Sequence, residues 1–235
     1  MERVARACGV LLVALTLAAC GGKQQADQVK LPPVGPAVPA ATASGLPIGD
    51  SERLRGLLLG VTDLPPSFTA LPDPNSDLSL GGLAPTTPAE CAKVLSPLAS
   101  QTSGALAHAA VQYMGPDFAG IDIDAASYSN ELVGQAFSQV QAVIARCTRY
   151  SGTDGNKPID YRIGGLTQPS AGDAVTGFQV RSVSDDVALT SSVAIVQVGA
   201  TLTQIVVSAR QPLDPGVLAD LTAAQVRKLR GFAGP

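Results

Sequence analysis

Apolar residues recur at the helical spacing of three or four positions in four parts of the chain. In each part they form a stripe along one side, with polar residues on the other, which is typical of a helix packed on a core. Residues of the kind that cap helices precede three of these stripes, namely Asp50 or Ser51, Thr87 and Asn130. The predicted helices cover residues 50–60, 87–100, 130–150 and 214–232.

A second pattern, in which apolar and polar residues alternate, predicts β-strands. It predicts a half-buried strand over residues 119–129, and it returns in four runs after the long helix. Short turns join these runs, so the expected class is α+β, with an antiparallel sheet and helices packed against it. The four later strands are expected at residues 159–166, 175–183, 188–198 and 201–210.

The last two predicted strands differ from the others because they are apolar on both faces. Residues 193–198 and 205–207 are almost all apolar, which predicts a central position in the sheet. Gly199 and Ala200 form the turn between these strands. One face of this hairpin packs on the helices. The other face also needs cover, and an apolar ligand held in a cleft is one way to give it.

The N-terminus carries the pattern of an exported protein. A basic start leads into an apolar run over residues 7–19, which is too short to cross a hydrocarbon core of about 30 Å. Residues 1–19 are therefore expected to be a secretory signal peptide. Its end, residues 17–20, resembles a bacterial lipobox, in which cleavage follows Ala19 and the thiol of Cys20 receives diacylglycerol. The alternative is an ordinary signal peptide that has a cysteine here by chance.

The lipobox predicts where the protein is held. Two or more acyl chains anchor a protein stably, so we expect a lipoprotein on the extracytoplasmic face of the cell membrane, attached through Cys20. Residues 20–49 are rich in Pro, Ala and Gly and have no apolar period, which predicts a flexible linker. The remaining residues, 50–235, suit one globular domain.

Two cysteines remain after processing. Cys8 leaves with the signal peptide and Cys20 is taken by lipid, which leaves Cys91 and Cys147. Disulfides persist in exported proteins, and the spacing of this pair fits neither a redox motif nor a zinc site. We therefore expect a structural disulfide between two predicted helices, the alternative being two buried free thiols.

The charge of the chain argues against a nucleic-acid partner. The chain has 16 basic and 19 acidic residues, and removal of the signal peptide leaves 14 against 18. A mildly acidic chain without a basic patch is a poor ligand for the phosphate backbone.

The sequence contains fragments of enzyme motifs, and each of them lacks residues that the motif requires. His108 is the one histidine of the chain and lies in an apolar run, so a buried or turn histidine is the favoured interpretation. The triplet Gly49-Asp50-Ser51 is similar to the nucleophile block of one class of esterases, yet it lacks the flanking pattern, and a helix cap is favoured there. We expect no catalytic residue and no cofactor.

Some carboxylates of the chain are candidates for metal ligands or for acid–base groups. Residues 73–84 begin like a calcium loop with Asp73, Asn75 and Asp77, but Leu78 and Ala84 replace the glycine and the glutamate that such a loop requires. A proline turn is therefore favoured and no metal site is expected.

Two carboxylate pairs remain. Asp122 and Asp124 share one face of a predicted strand, and Asp185–Asp186 lies at a turn. Such pairs can perform acid–base chemistry, but solvated carboxylates are the commoner case.

The layout from Arg53 to Phe232 resembles that of the lipid-anchored sensor-domain proteins of mycobacteria, which are related to the extracellular domain of PknH-type serine/threonine kinases. It also resembles a neighbouring mycobacterial lipoprotein family of unknown function. The resemblance implies an α+β fold with a cleft and a ligand-sensing or cell-envelope role. Those domains often have four cysteines and a buried tryptophan, whereas this chain has one pair after processing and no tryptophan. The segments that carry the resemblance are residues 57–69, 88–95, 145–150 and 188–210.

Three functions follow from these observations. The first is a binding or sensor module that takes a small, apolar envelope ligand. The second is an interaction protein that docks another envelope component. The third, and least favoured, is a hydrolase with an unrecognised site.

Overall fold

The computed structural model describes residues 30–72, 85–185, 187–211 and 214–231, and within them the chain forms one antiparallel sheet. The strands are β1 (Thr69–Ala70), β2 (Thr86–Thr87), β3 (Ala107–Met114), β4 (Gly120–Ser127), β5 (Arg149–Asp154), β6 (Lys157–Gly165), β7 (Ala174–Ser184), β8 (Val187–Val198) and β9 (Thr201–Ala209). Their order is β1-β3-β4-β9-β8-β7-β6-β5-β2. The expected α+β class, an antiparallel sheet with helices packed against it, is confirmed.

Helices cover both faces of this sheet. They are α1 (Ser51–Gly56), α2 (Leu98–Gln101), α3 (Val133–Arg146) and α4 (Pro215–Leu229), with 3-10 turns at Val61–Asp63, Ala89–Leu95 and Pro116–Phe118. We call the side on which α3 packs the α3 face, and the side on which α1 and α4 pack the α4 face. None of the described helices is long and apolar enough to span a bilayer.

The β8–β9 hairpin lies at the centre of the sheet, as its apolar sequence predicts. Val193 and Ile195 pack on the α3 face, while Ala194 packs with Leu218 of α4 on the other. Gly199 forms the turn with φ 55°, a left-handed conformation that glycine adopts readily. Helices α1 and α4 cover the second face, so of the ways to cover it the structure uses helices at this position.

Residues 30–49 differ from the free linker that their composition predicts. They run in extended form along the α3 face, and we call this segment the strap. The amide of Gln141 accepts from Val38 N–H and donates to Val38 C=O, at 2.7 and 3.0 Å. Gln197 binds both backbone groups of Ala41 in the same way, at 3.0 and 2.9 Å. The prediction missed this segment because hydrogen bonds to its backbone hold it in place. The spacing of apolar side chains in the sequence does not reveal such bonds.

Glycines make room for the strap where it crosses the sheet. A Cβ atom on Gly164 would lie 2.5 Å from that of Leu31, and one on Gly165 would lie 2.5 Å from the carbonyl oxygen of Pro33. Gly165 N–H also donates to Pro32 C=O at 3.0 Å. The strap therefore lies in a groove that exists because Gly164 and Gly165 have no side chains. The folded unit thus begins before Asp50.

Two predicted caps are wrong. Thr87 belongs to β2, and the segment after it forms the 3-10 turn Ala89–Leu95 before Pro97 introduces α2. Asn130 lies outside α3, and its Nδ2 donates to Gly45 C=O in the strap at 3.2 Å. Thr87 pairs with Ser151 of β5 through the strand register, and Asn130 binds the strap through its side chain. Local helix propensity describes neither contact.

Four strands were not predicted: the two-residue edge strands β1 and β2, and their neighbours β3 and β5. The apolar run around His108 is β3, and the last two residues of the predicted long helix, Arg149 and Tyr150, begin β5. His108 points to the exposed side of β3, so its predicted burial is wrong. Strand β3 was missed because its alanines give little contrast between the two faces.

The cysteine pair joins two elements of the α3 face. Cys91, in the 3-10 turn, and Cys147, at the end of α3, are bonded to each other and buried. The bridge closes a separation of 56 residues. It therefore fixes the 3-10 turn against α3.

Candidate functional site

An open cleft lies at the end of the sheet where β3 turns into β4 and β8 begins. Its volume is about 820 Å³. The walls come from the loop before β1, the turn Pro116–Phe118, the ends of β8 and β9, and the start of α4. Its lining residues are Pro65, Phe68, Pro116, Asp117, Phe118, Ala119, Val187, Ala188, Ala209, Arg210, Gln211 and Val217.

Phe68 forms one wall of this cleft through a close contact with glycine. A Cβ atom on Gly115 would lie 2.8 Å from two atoms of the Phe68 ring. The ring therefore rests on bare backbone, which fixes its position beside the turn that follows. This contact explains why glycine ends β3 at this point.

Phe118 forms the lip of the cleft, and 73% of its surface is exposed. The short turn that carries it is closed by hydrogen bonds from Gly115 N–H to Ala119 C=O, at 2.8 Å, and from Ala119 N–H to Pro116 C=O, at 2.9 Å. To make this turn, Asp117 and Phe118 adopt φ values of 53° and 62°. Bulky residues rarely take the left-handed conformation, so the turn holds an aromatic ring in solvent at a cost in backbone strain.

Polar groups line a smaller part of the cleft. Arg210 and Gln211 follow β9 at one side, and Asp117 lies beside Phe118. Ligand sites in proteins commonly combine an apolar lining with a few polar groups that orient the ligand. This cleft has that combination of residues.

A second polar cluster lies inside the α3 face, around the carboxylates of β4. Asp124 is buried and accepts from Leu98 N–H at 2.7 Å and from Gln204 Nε2 at 3.1 Å. Burial raises the pKa of Asp124 to about 7, against the lowering effect of these two hydrogen bonds. Burial likewise raises the pKa of Asp122 to about 6. The predicted solvation of this pair is wrong, because β4 lies between β3 and β9 and beneath α2.

The contacts of Asp124 point to a structural role. Its carboxylate binds the first N–H of α2, and Gln101 and Gln204 both donate to Ser96 C=O, at 2.6 and 3.2 Å. Tyr128 completes the attachment with a bond to Leu98 C=O at 3.4 Å. These contacts are all with groups of the fold, so this cluster fastens α2 to the sheet.

The other predicted sites are placed apart from the cleft. Asp50 caps α1, accepting from Arg53 N–H at 2.7 Å, as the helix-cap interpretation requires. Ser51 Oγ accepts from the backbone N–H of His108 at 3.2 Å. Asp185 forms an exposed ion pair with Lys157 at 2.8 Å.

Several predictions concern residues that the structure does not describe. Ala19 and Cys20 lie outside the described ranges, as do Asp186 and the calcium-like segment 73–84. In the parts of the chain that are described, no group of three or more His, Cys, Asp and Glu side chains is arranged to hold a metal ion.

The sequence analysis missed the residues of the cleft. Phe68 lies in a proline-rich loop and Phe118 in a turn between strands, so neither belongs to a periodic pattern. Gly115-Pro116 before Phe118 indicates a turn. An aromatic residue inside such a turn is the sequence feature that could have indicated this site.

Comparison with known proteins gives a likeness of fold. No protein-family model matches the chain, and the comparison with curated proteins gives no match. The structure is similar to that of the extracellular domain of PknH from Mycobacterium tuberculosis, with a TM-score of 0.60 and 14% identity, over 79% of this chain and 100% of that one. A putative uncharacterized protein of Mycobacterium smegmatis, an Rv0999 ortholog, aligns with a TM-score of 0.39 and 16% identity, over 72% of this chain and 92% of that one. The expected resemblance to PknH-type extracellular domains is thus confirmed at the level of the fold.

Proposed function

We propose that this protein is a lipid-anchored binding module of the cell envelope, which takes an apolar ligand into the cleft between Phe68 and Phe118. The observation that carries the proposal is Phe118, an aromatic residue held 73% exposed in a left-handed turn at the lip of the cleft. Strain of this kind clusters at ligand sites, where function retains it. Binding of a ligand would remove the ring from water, which is favourable by about 25 cal/mol per Å² of apolar surface.

The extracytoplasmic location is supported by two independent features. The fold is that of a domain described as extracellular, and Cys91 and Cys147 are bonded as in exported proteins. We assign the anchor to Cys20 because of the lipobox at residues 17–20. Cys20→Ala is expected to move the protein from the detergent phase to the aqueous phase, and equal partitioning of both forms contradicts the anchor.

Binding is tested with the neutral dye N-phenyl-1-naphthylamine, which becomes fluorescent in apolar surroundings. The Cys20→Ala chain is expected to bind the dye, and Phe118→Ser is expected to weaken binding about tenfold through lost apolar contact. Leu106→Ser is the matched control, since Leu106 is 53% exposed and does not line the cleft. Equal affinity of the two variants would show that the cleft is not the site.

The absence of tryptophan from the chain permits a second measurement. Phe118→Trp places a single reporter at the lip of the cleft, and Leu106→Trp places one far from it. Ligand binding is expected to shift the emission of the first towards the blue and to leave the second unchanged. Recovery of the bound ligand in unaltered form supports binding without turnover, and a chemically altered ligand supports the hydrolase alternative.

Docking of another envelope protein is the second candidate. It is favoured by the openness of the cleft, where Phe118 and Val187 are both well exposed. A photoreactive residue at position 118 separates the candidates in living cells. A small lipid-sized adduct supports ligand binding, while a protein-sized adduct supports docking.

A further inference from the structure

The strap is held by side chains of the domain that bind its backbone. Gln141 binds the N–H and C=O groups of Val38, and Gln197 binds those of Ala41. Such contacts follow the path of the strap and require no particular side chain from it. The bonded residues are 103 and 156 positions apart in the chain, so the same bonds could form with the strap of another chain.

The groove between Gly134, Gly165 and Gly199, which we call the strap groove, fits this segment closely. A Cβ atom on Gly134 would lie 3.4 Å from that of Ala40, and one on Gly199 would lie 3.1 Å from the carbonyl oxygen of Ser44. The strap residues that pack on the core of the α3 face are Val34, Val38, Ala40 and Ala43. A second copy of this chain carries the same segment, so it is a partner that fits the strap groove.

The strap joins the rest of the domain through residues 45–49, which we call the hinge. Gly45 has a φ of 89°, and a Cβ atom on Gly45 or Gly49 would have no atom within 4 Å beyond the adjoining residues. The hinge spans up to about 17 Å when extended, at roughly 3.3–3.6 Å per residue. It therefore has the room and the length to lead the strap into a neighbouring domain.

Two leucines beside the hinge are exposed to solvent. Leu46 is 96% exposed, and Leu132, which is 40% exposed, lies two residues after Asn130, whose side chain binds Gly45. In two chains that exchange straps, both hinges cross between the domains at this end. Contact between the domains there would bury these leucines and remove their apolar surface from water.

Strap exchange keeps the contacts of the strap, because each bond within one chain is replaced by the same bond between two chains. The balance between monomer and dimer then depends on concentration. Within one chain the hinge holds the strap near its own groove, which favours the monomer. A high density of copies favours the dimer, and the anchor proposed at Cys20 would supply that density at the membrane.

We propose that the strap groove also binds the strap of a second copy, so that two chains exchange straps and form a symmetric dimer. Each domain then makes its bonds with Val38 and Ala41 of the other chain. Contact between the two hinges completes the interface. This inference concerns the α3 face and is independent of the cleft.

A pair of cysteine variants tests strap exchange. Position 40 lies in the strap and position 134 in the strap groove, at a Cβ separation that suits a disulfide. Ala40→Cys and Gly134→Cys chains, each with Cys20→Ala, are mixed at high concentration and oxidised. We expect a covalent dimer whose cross-linked peptide joins positions 40 and 134. Cys91 and Cys147 are buried and bonded to each other, so they do not compete.

Two controls decide how the result is interpreted. Gln139→Cys, on the exposed side of α3, replaces Gly134→Cys in a second mixture, and equal cross-linking there would mean random collision and overturn the proposal. The double variant Ala40→Cys/Gly134→Cys is expected to close within one chain. Closure of the double variant without a cross-link in the mixture overturns strap exchange. A double variant that does not close overturns it too, because the strap would then not occupy the groove.

Sedimentation velocity tests the dimer without added cysteines. The Cys20→Ala chain is expected to show a dimer fraction that rises with concentration, and Leu46→Ser is expected to lower that fraction. Leu71→Ser is the matched control, because Leu71 is 37% exposed and its N–H binds Gln112 C=O on β3, away from the hinge. A monomer at every concentration overturns the proposal, while the cleft and its ligand are tested separately by the dye.

Discussion

The strap region and the cleft region both contain residues with positive φ, but the residue types differ. Where the strap passes the β8–β9 turn, Gly45 and Gly199 have φ values of 89° and 55°. Glycine adopts these values without strain. Around the cleft, Ser67, Asp117 and Phe118 take φ values of 77°, 53° and 62°. The strap region is therefore relaxed, and the cleft region is strained.

The difference in backbone strain between strap and cleft distinguishes the part of the fold that provides stability from the part proposed to bind. Among the residues that the structure describes, those other than glycine with positive φ are Ser67, Asp117, Phe118 and Asp185. The first three lie in or next to the cleft, and Asp185 lies in the hairpin that leads to Val187 in its lining. Such positions cost on the order of 1–3 kcal/mol each. The α3 face, with its disulfide, strap and buried carboxylate, is built for stability.

The largest expected effect comes from the disulfide of the α3 face. Replacing Cys91 and Cys147 by alanine is expected to lower the free energy of unfolding by about 4 kcal/mol, because the bridge restricts the unfolded chain. Urea unfolding with and without reductant measures it. A reductant is expected to destabilise the wild type and leave the double variant unchanged. A loss below about 1 kcal/mol would show that the α3 face does not depend on the bridge.

The next effect is a pH dependence from Asp124. Burial raises its pKa to about 7, so between pH 4 and 7 the folded chain retains a proton that the unfolded chain releases. The contribution of Asp124 to the free energy of unfolding is therefore largest below about pH 4, and it is lost as the pH rises to about 7. Between about pH 5 and pH 8 the loss is on the order of 2 kcal/mol.

The variant Asp124→Asn isolates this contribution. Its free energy of unfolding is expected to vary less with pH than that of the wild type, with a remaining part from Asp122, whose pKa is also raised. A profile of the same slope in both proteins would assign the pH dependence to other groups.

A comparable effect is expected from the strap. Gln141→Leu leaves the N–H and C=O of Val38 without their partner, which costs about 2 kcal/mol. Hydrogen exchange at Val38 is expected to accelerate, while exchange in the cleft turn stays the same. Gln139→Leu, on the exposed side of the same helix, serves as the control. Slow exchange at Val38 in the Gln141 variant would contradict the role of the amide.

The smallest expected effect is an increase in the free energy of unfolding, and it concerns the cleft. Phe118→Gly is expected to raise the free energy of unfolding by about 0.5–1 kcal/mol, because glycine relieves the left-handed strain and the exposed ring contributes little packing. The same variant is expected to lose ligand affinity. Leu106→Gly, at a position without positive φ, is expected to be destabilised. A destabilised Phe118→Gly would mean that the ring supports the fold.

The spacing of apolar residues along the chain predicted the elements whose buried and exposed side chains follow a regular pattern. The stripe of α3 and the two apolar faces of β8 and β9 gave the helix and the centre of the sheet. β3 was missed because alanine occupies both of its faces. The strap was missed because Gln141 and Gln197 hold it by backbone groups, which leave no mark on its own sequence.

The candidate site was less predictable than the fold. Phe68 and Phe118 meet only when the loop before β1 and the turn after β3 are brought to one end of the sheet. Neither residue belongs to a local motif.

The strap would also set how far the domain could travel from the anchor proposed at Cys20. With the strap docked, such an anchor would be tied to the folded unit at Leu31. Release of residues 31–49 would add up to about 65 Å to the span, at roughly 3.3–3.6 Å per residue. A pull on the anchor would load the bond between Pro32 and Gly165 first, and then the bonds at Val38 and Ala41 in turn. The strap is thus a store of length that tension would release in steps.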